Sequence, residues 1–262
     1  MSAANSDLPP LHTQNPRDRF SNRAEDYSRY RPTYPTEAID QILDGLGDPV
    51  TLTVADIGAG TGISARLLGD RGAKVWAIEP NETMRSAAEP HPQVEFRSGT
   101  AEATGLADAS VDLITCCQSF HWFEPIATLA EFHRILRSGG RVALIWNERE
   151  QADEFTAEHT AVIRKAAATD FFDHPSRKSA DPLAQSDRFT DFRQQSFRNQ
   201  QQLSLDAVIG LALSASYIPK SGEVHEQLLI DLRKLFNRWS QNSTVTLIYQ
   251  TNVYLANAIA QS

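Results

Sequence analysis

From Thr51 onward, short apolar runs alternate with segments whose apolar residues recur every three or four positions. TLTVADI reads as a first strand, and ISARLLGDRG as a helix closing at Gly72. KVWAIEP is a second strand, and NETMRSAAE a helix with Asn81 placed to cap it. QVEFRSG and SVDLITCCQSF are a third and a fourth strand. EPIATLAEFHRILRSGG is a helix with Pro125 in its first turn and glycine at its end, and RVALIWN is a fifth strand. Regular strand–helix alternation predicts an α/β protein with a doubly wound, mostly parallel sheet.

Beyond residue 150 the pattern changes. Phe155, His159, Val162, Ile163 and Ala166 mark one helical face, followed by the breaker-rich loop DFFDHPSRKSADP. FRQQSFRNQQQL has strand character, Leu205 to Ser214 and Glu223 to Ser240 read as helices, and STVTLIYQTNVYLANAI alternates like a strand. Two late strands with helical excursions predict an antiparallel addition to the sheet edge. Residues 1–16 read as a disordered tail, being polar and without period. Residues 17–262 then form a single domain, in which about 151–240 supply a lid over the carboxyl ends of the strands.

Composition narrows the function. A net charge of −8 argues against a nucleic-acid binder, which presents a basic face. The two cysteines, Cys116 and Cys117, are neighbours; on a strand they point to opposite faces and cannot pair. No metal-ligand spacing, secretory leader or membrane-length apolar run occurs, so a reduced, soluble, cytoplasmic protein without a metal is expected.

Chemistry concentrates in VADIGAGTG, residues 54–62, at the carboxyl end of the first strand, where doubly wound sheets bind their ligands. Glycines there let a ligand approach the backbone. A P-loop is excluded because no Lys-Ser or Lys-Thr follows. The dinucleotide fingerprint fits Gly58 and Gly60 but meets Ile63 at its third position, with the glycine at Gly62 instead. Asp56, just ahead of the loop, would oppose a pyrophosphate and suit an ammonium group. Glu79 ends the second strand, where an acid accepts hydrogen bonds from both hydroxyls of a ribose.

VADIGAGTG, then AIEPN, then SGTAEATGLADASVDLITCCQSFHWF, then LRSGGRVALIWN resembles the ordered motif series of class I S-adenosylmethionine-dependent methyltransferases. It is most similar to the small-molecule "type 11" group. AEDYSRYRPTYP, residues 24–35, resembles the lead-in of relatives that include trans-aconitate methyltransferase-like proteins. The resemblance implies a Rossmann-like sheet of seven strands with the last antiparallel, and S-adenosyl-L-methionine as cofactor. It implies that Asp56, Gly58, Ala59, Gly60 and Gly62 line the methionine part. Glu79 would hold the ribose, with Pro80, Asn81, Thr100, Ala101 and Glu102 about the adenine. Gln118 and Ser119 would face the methionine or the transferred methyl. Tyr27 and Arg31 would fold over the site, Arg31 meeting the cofactor carboxylate or an acidic substrate.

For the acceptor side, His121 in QSFHWF is the candidate base, or else a packing residue. Trp122, Trp146, Asn147, Ser216 and Tyr217 are candidate substrate contacts. The expected activity is methyl transfer to a small-molecule acceptor, with O-methylation of a carboxylate or hydroxyl favoured. A cofactor-binding module without catalysis and a nicotinamide-dependent oxidoreductase remain the alternatives.

Overall fold

A computed structural model describes residues 8–14, 22–167 and 174–260. Its centre is a seven-stranded sheet built from β1 (Thr53–Ile57), β2 (Lys74–Ile78), β3 (Val94–Arg97), β4 (Val111–Cys117), β5 (Leu136–Arg149), β6 (Phe189–Leu203) and β7 (Val245–Ala258). The strand order is β3-β2-β1-β4-β5-β7-β6. Pairings β1–β2, β1–β4, β2–β3 and β4–β5 are parallel, whereas β7 runs antiparallel to both β5 and β6. Strand order reverses between β1 and β4, so their carboxyl ends open a crevice there.

The strands are apolar because both faces are covered. Alternate residues serve opposite cores: Ala55, Ile57, Ile114, Cys116 and Leu144 pack beneath Leu129, Phe132 and Ile135 of α5 (Pro125–Ile135). Val54, Val75, Leu113, Cys117 and Ile145 pack against α2 (Thr36–Leu43) and α3 (Ile63–Gly69). The two cysteines are therefore divided between the faces and are both free thiols. A third core joins α6 (Glu154–Ala166), α8 (Leu205–Leu213) and α9 (Glu223–Trp239) over the end of the sheet, through Phe155, Ile163, Leu211, Leu232, Leu235 and Tyr249.

Three elements differ from the expectation. Residues 8–14 of the supposed tail form a short 3-10 turn at Leu11–Thr13 with Leu11 buried; the rest of the tail, 1–7 and 15–16, lies outside the described residues. The segment before β1 carries two helices, α1 (Ala24–Tyr30) and α2. The helix expected to run to Gly140 stops at Ile135, because Leu136 turns extended and begins β5. The interval 151–240 also divides. α6, a 3-10 turn at Pro175–Lys178, α7 (Asp181–Ala184), α8 and α9 stand above or beside the strand ends, whereas β6 extends the sheet. No helix among the described residues is long and apolar enough to cross a membrane.

Two adjoining cavities form the candidate active site

A cavity of about 530 Å3 lies over the carboxyl ends of β1, β2 and β4. Its floor is the β1–α3 loop. Gly58 adopts φ 67°, and a Cβ there would stand 2.7 Å from Ser119 Cβ, so that position excludes any side chain. Gly60, at φ 58°, opens to the cavity between Met84 and Tyr27. Glu79 is nine-tenths buried at one wall; its Oε2 accepts from the Gly60 N–H at 3.0 Å and its Oε1 from the Asn81 N–H at 2.9 Å. Burial raises the Glu79 carboxyl above its ordinary value, and these two N–H donors oppose the shift. Asn81 caps α4 (Glu82–Ser86) through Oδ1, as expected from its position.

Across the cavity, Gln118 holds a positive φ of 59° at the end of β4, an unusual conformation for a side-chain-bearing residue. Its N–H is fixed by the Ile145 carbonyl, and Ser119 Oγ donates to the Ile57 carbonyl at 2.8 Å. Thr100, Ala101 and Glu102 complete that side, Glu102 accepting from the Glu124 N–H. Among the described residues the lining carries three acids, Glu79, Glu102 and Glu124, and no lysine or arginine. Such a wall opposes a pyrophosphate and suits a cationic ligand with a diol that can donate to Glu79.

Of the residues expected at the cofactor, Tyr27, Gly58, Gly60, Glu79, Pro80, Asn81, Thr100, Ala101, Glu102, Gln118 and Ser119 line this cavity. Asp56, Ala59, Gly62 and Arg31 do not. Asp56 is wholly buried and accepts from Ser64 Oγ and Thr115 Oγ1, both at 2.7 Å, and so ties β1 to α3 and β4. Burial raises its carboxyl, with Ser64, Thr115 and the Ala65 N–H opposing. Gly62 begins α3 and packs on Phe96, and the Ala59 N–H is taken by the Ile78 carbonyl. His12 and Thr13, from the segment read as a tail, line the cavity unforeseen.

A second cavity, also about 530 Å3, adjoins the first at Tyr27, Gln118 and Trp122, which line both. All five expected substrate residues, Trp122, Trp146, Asn147, Ser216 and Tyr217, lie on its wall, and so do His121 and Arg31. Trp146 Nε1 points to His121 Nδ1 at 3.5 Å. Burial, with Arg177 and His174 adding, lowers the imidazole to about 3. The expectation of a proton-accepting His121 is weakened, because so acidic an imidazolium corresponds to a feeble base. Asn147 Nδ2 donates to the Thr33 carbonyl and its Oδ1 accepts from Thr251 and Asn199, pinning the chain after α1, while Asp153 caps α6. The wall also carries Arg149, Arg164, Arg177 and Lys178, none of them anticipated. Arg149 had a signal, two residues beyond Asn147 on the same strand; Arg177, inside a breaker-rich loop, had none.

The glycine-floored crevice at the strand-order reversal, with its strand-end carboxylate and, among the described residues, no lysine or arginine on its wall, defines a nucleoside-type ligand site of a doubly wound fold. Comparison with known proteins makes this specific. Residues 55–144 match the methyltransferase domain family. An uncharacterized methyltransferase of Mycobacterium bovis is 33% identical over 221 residues, 82% of this chain and 84% of the relative. One from Schizosaccharomyces pombe is 29% identical over 201 residues, 76% of this chain and 79% of its own. In fold, the YcgJ protein from Bacillus subtilis superposes with a TM-score of 0.56 at 17% identity, covering 87% of this chain and all of that one. The chain belongs to the class I S-adenosylmethionine-dependent methyltransferases. S-adenosylmethionine is its cofactor, and the residues of the first cavity fit that group: among the described residues the lining carries no lysine or arginine to repel the sulfonium, and Glu79 lies on the wall with lone pairs left beyond its two N–H donors for a ribose.

Proposed function

We propose that this methyltransferase transfers its methyl group to a small anionic molecule, O-methylating a carboxylate. The observation that carries the reading is the opposition of charge between the two cavities: acids line the first, and arginines and a lysine line the second. A donor site for a cation beside an acceptor site for an anion is what esterification of a carboxylate needs.

The bound cofactor supplies the electrophilic methyl. The chain's own residues bind, orient and exclude water. Gly58 and Gly60 give the floor close backbone approach, and Glu79 receives the ribose hydroxyls. Tyr27, Gln118 and Trp122 stand at the junction, so the acceptor oxygen must pass between them to reach the methyl. Trp122 offers an aromatic face, which favours a neighbouring cation. A carboxylate attacks as it stands, so no side chain has to take a proton, in keeping with the weakly basic His121. A hydroxyl acceptor would need a base, and among the described residues on this wall His121 is poorly suited to serve as one.

The test is a labelled-methyl screen of organic acids, alcohols and amines with the purified protein. A volatile, base-labile product from acids supports the reading. Base-stable label from an alcohol or amine would falsify it.

A further inference from the structure

The short turn at Leu11–Thr13 lies far from the sheet in sequence, yet the fold holds it against the first cavity. Pro9 and Pro10 restrict the chain before it. Thr13 Oγ1 donates to the Pro10 carbonyl at 2.7 Å, and Gln14 Nε2 to that of Pro9 at 3.1 Å, so the turn closes on itself. Leu11 is 1% exposed and belongs to the third core, the one that joins α6, α8 and α9, against which Tyr30 and Trp122 also pack. The turn lies on a second 3-10 turn, Phe120–Trp122, which follows β4. Anchored in this way, it brings His12 and Thr13 to the cavity wall. The Thr13 hydroxyl proton is given to Pro10, whereas half-buried His12 brings an imidazole with a ring N–H to donate.

Which end of the cofactor meets His12 follows from the junction. The transferred methyl has to stand where the two cavities join, and Trp122 lines both. The sulfur that carries the methyl also carries the adenosine, whose ribose goes to Glu79, and the amino-acid chain. A turn lying on Phe120–Trp122 therefore stands beside the sulfur and the start of its amino-acid branch. That branch ends in a carboxylate, which needs donors. Backbone N–H groups of a glycine loop commonly supply them. Here they are taken: those of Gly58 and Ala59 by the Ile78 carbonyl, that of Gly60 by Glu79 and that of Gly62 by the Ala59 carbonyl. The N–H groups of Gln118 and Trp122 go to the Ile145 and Ser119 carbonyls, and Ser119 Oγ donates to Ile57. Arg31, expected from the sequence as a partner of that carboxylate, lies on the second cavity and donates to the Ser214 carbonyl.

We infer that His12, held in place by the Leu11 anchor, is a cofactor-binding residue whose imidazole N–H donates to the carboxylate at the amino-acid end of S-adenosylmethionine. A bond from a ring N–H to a carboxylate is of the strong, charge-assisted kind. The N-terminal turn is then a working part of the cofactor site. The inference holds whichever group of the acceptor is methylated, so it stands or falls apart from the acceptor reading above.

Isothermal titration of the full-length protein tests it with two ligands: S-adenosylhomocysteine, and 5′-methylthioadenosine, which keeps the adenosine and the sulfur but lacks the amino-acid chain. His12→Ala should weaken S-adenosylhomocysteine about tenfold, the scale of one hydrogen bond to a charged group, and leave 5′-methylthioadenosine within about twofold of the parent. His12→Asn, which keeps a side-chain N–H, should recover part of the loss. Leu11→Ser removes the anchor but not the imidazole, and should show the same selective loss. Thermal melts report whether the variants are folded; His12→Ala, which alters a side chain outside the cores, decides the matter if Leu11→Ser does not fold. In hydrogen exchange, S-adenosylhomocysteine should protect residues 11–14 of the parent and protect them less in His12→Ala. Parental affinity of His12→Ala for S-adenosylhomocysteine overturns the assignment, and so does an equal loss for both ligands. A selective loss confined to Arg31→Gln would give the carboxylate to Arg31 and remove His12.

Discussion

Glu79 and Gly60 act as a pair, since the N–H of one is held by the carboxylate of the other. Glu79→Ala should weaken S-adenosylmethionine binding by ~1–3 kcal/mol, the range for losing charge-assisted hydrogen bonds. Gly60→Val should do more, because φ 58° strains a branched residue and its Cβ would meet Met84 at 3.3 Å inside the cradle. Titration calorimetry decides both; a folded Gly60→Val protein with parental affinity would remove the loop from the site. His121 is the opposite case, a residue whose surroundings have moved its chemistry. At a pKa of about 3 it is neutral throughout pH 5–8 and undergoes no protonation change there. The expected result is a kcat/KM without a His121 inflection in that window, and a His121→Asn variant that loses less than about tenfold on a carboxylate, below the usual contribution of a general base. An inflection near the ordinary histidine value that disappears in His121→Asn would restore it as a base.

At the level of elements, the cover over both cavities is one unit tied across a long sequence separation. Arg23, just before α1, donates to the carbonyls of Leu213 and Ala215 at 2.5 and 2.7 Å and to that of Ile218 at 2.6 Å. These bonds join the start of the helix bearing Tyr27 to the loop bearing Ser216 and Tyr217. Gly210, within α8, makes the contact: a Cβ there would fall 2.1 Å from the Tyr30 ring. Glycine inside a helix costs about 0.8–1.0 kcal/mol relative to alanine, so this position gives up local stability for close approach. Gly210→Ala should consequently lower Tm although it favours the helix, and should raise hydrogen exchange across residues 22–35. A Tm increase with unchanged exchange would show that α1 does not depend on this contact.

Over the whole molecule, a buried histidine couples the fold to pH. His159, on α6, is fully buried with both ring nitrogens unpartnered, and burial, with Arg149 adding, holds it well below its ordinary value. A base whose folded pKa is depressed contributes stability that is present above the unfolded value near 6.5 and is lost as pH falls below it. Each such group adds a slope of up to about 1.4 kcal/mol per pH unit on the acid side. His159→Leu should flatten the loss of stability between pH 6.5 and 5 by about one proton's worth. Urea unfolding of parent and variant at several pH values measures it; parallel slopes would mean that His159 is not the coupled group.

The sequence by itself determined the sheet and named most of the residues that line the first cavity. Period-2 and period-3.6 patterns are local, and so is the glycine loop, because close approach to backbone is a property of consecutive residues. Asn81 as a cap and Glu79 at a strand end follow from position within a single element. Legibility failed where a role depends on what lies across the fold. Asp56 reads as a ligand-facing acid, and only the closeness of Ser64 and Thr115 shows it to be a buried tie. His121 reads as a base until Arg177 and the surrounding burial are seen. α2 was within reach, since Ala38, Ile39, Ile42 and Leu43 form one apolar face after Pro35, whereas short, polar α1 carries no such stripe. The gathering of cations on the wall of the second cavity belongs to the tertiary structure alone. Arg31, Arg149 and Arg177 sit on three elements far apart in sequence, and each is an ordinary surface charge until folding brings them around Tyr217.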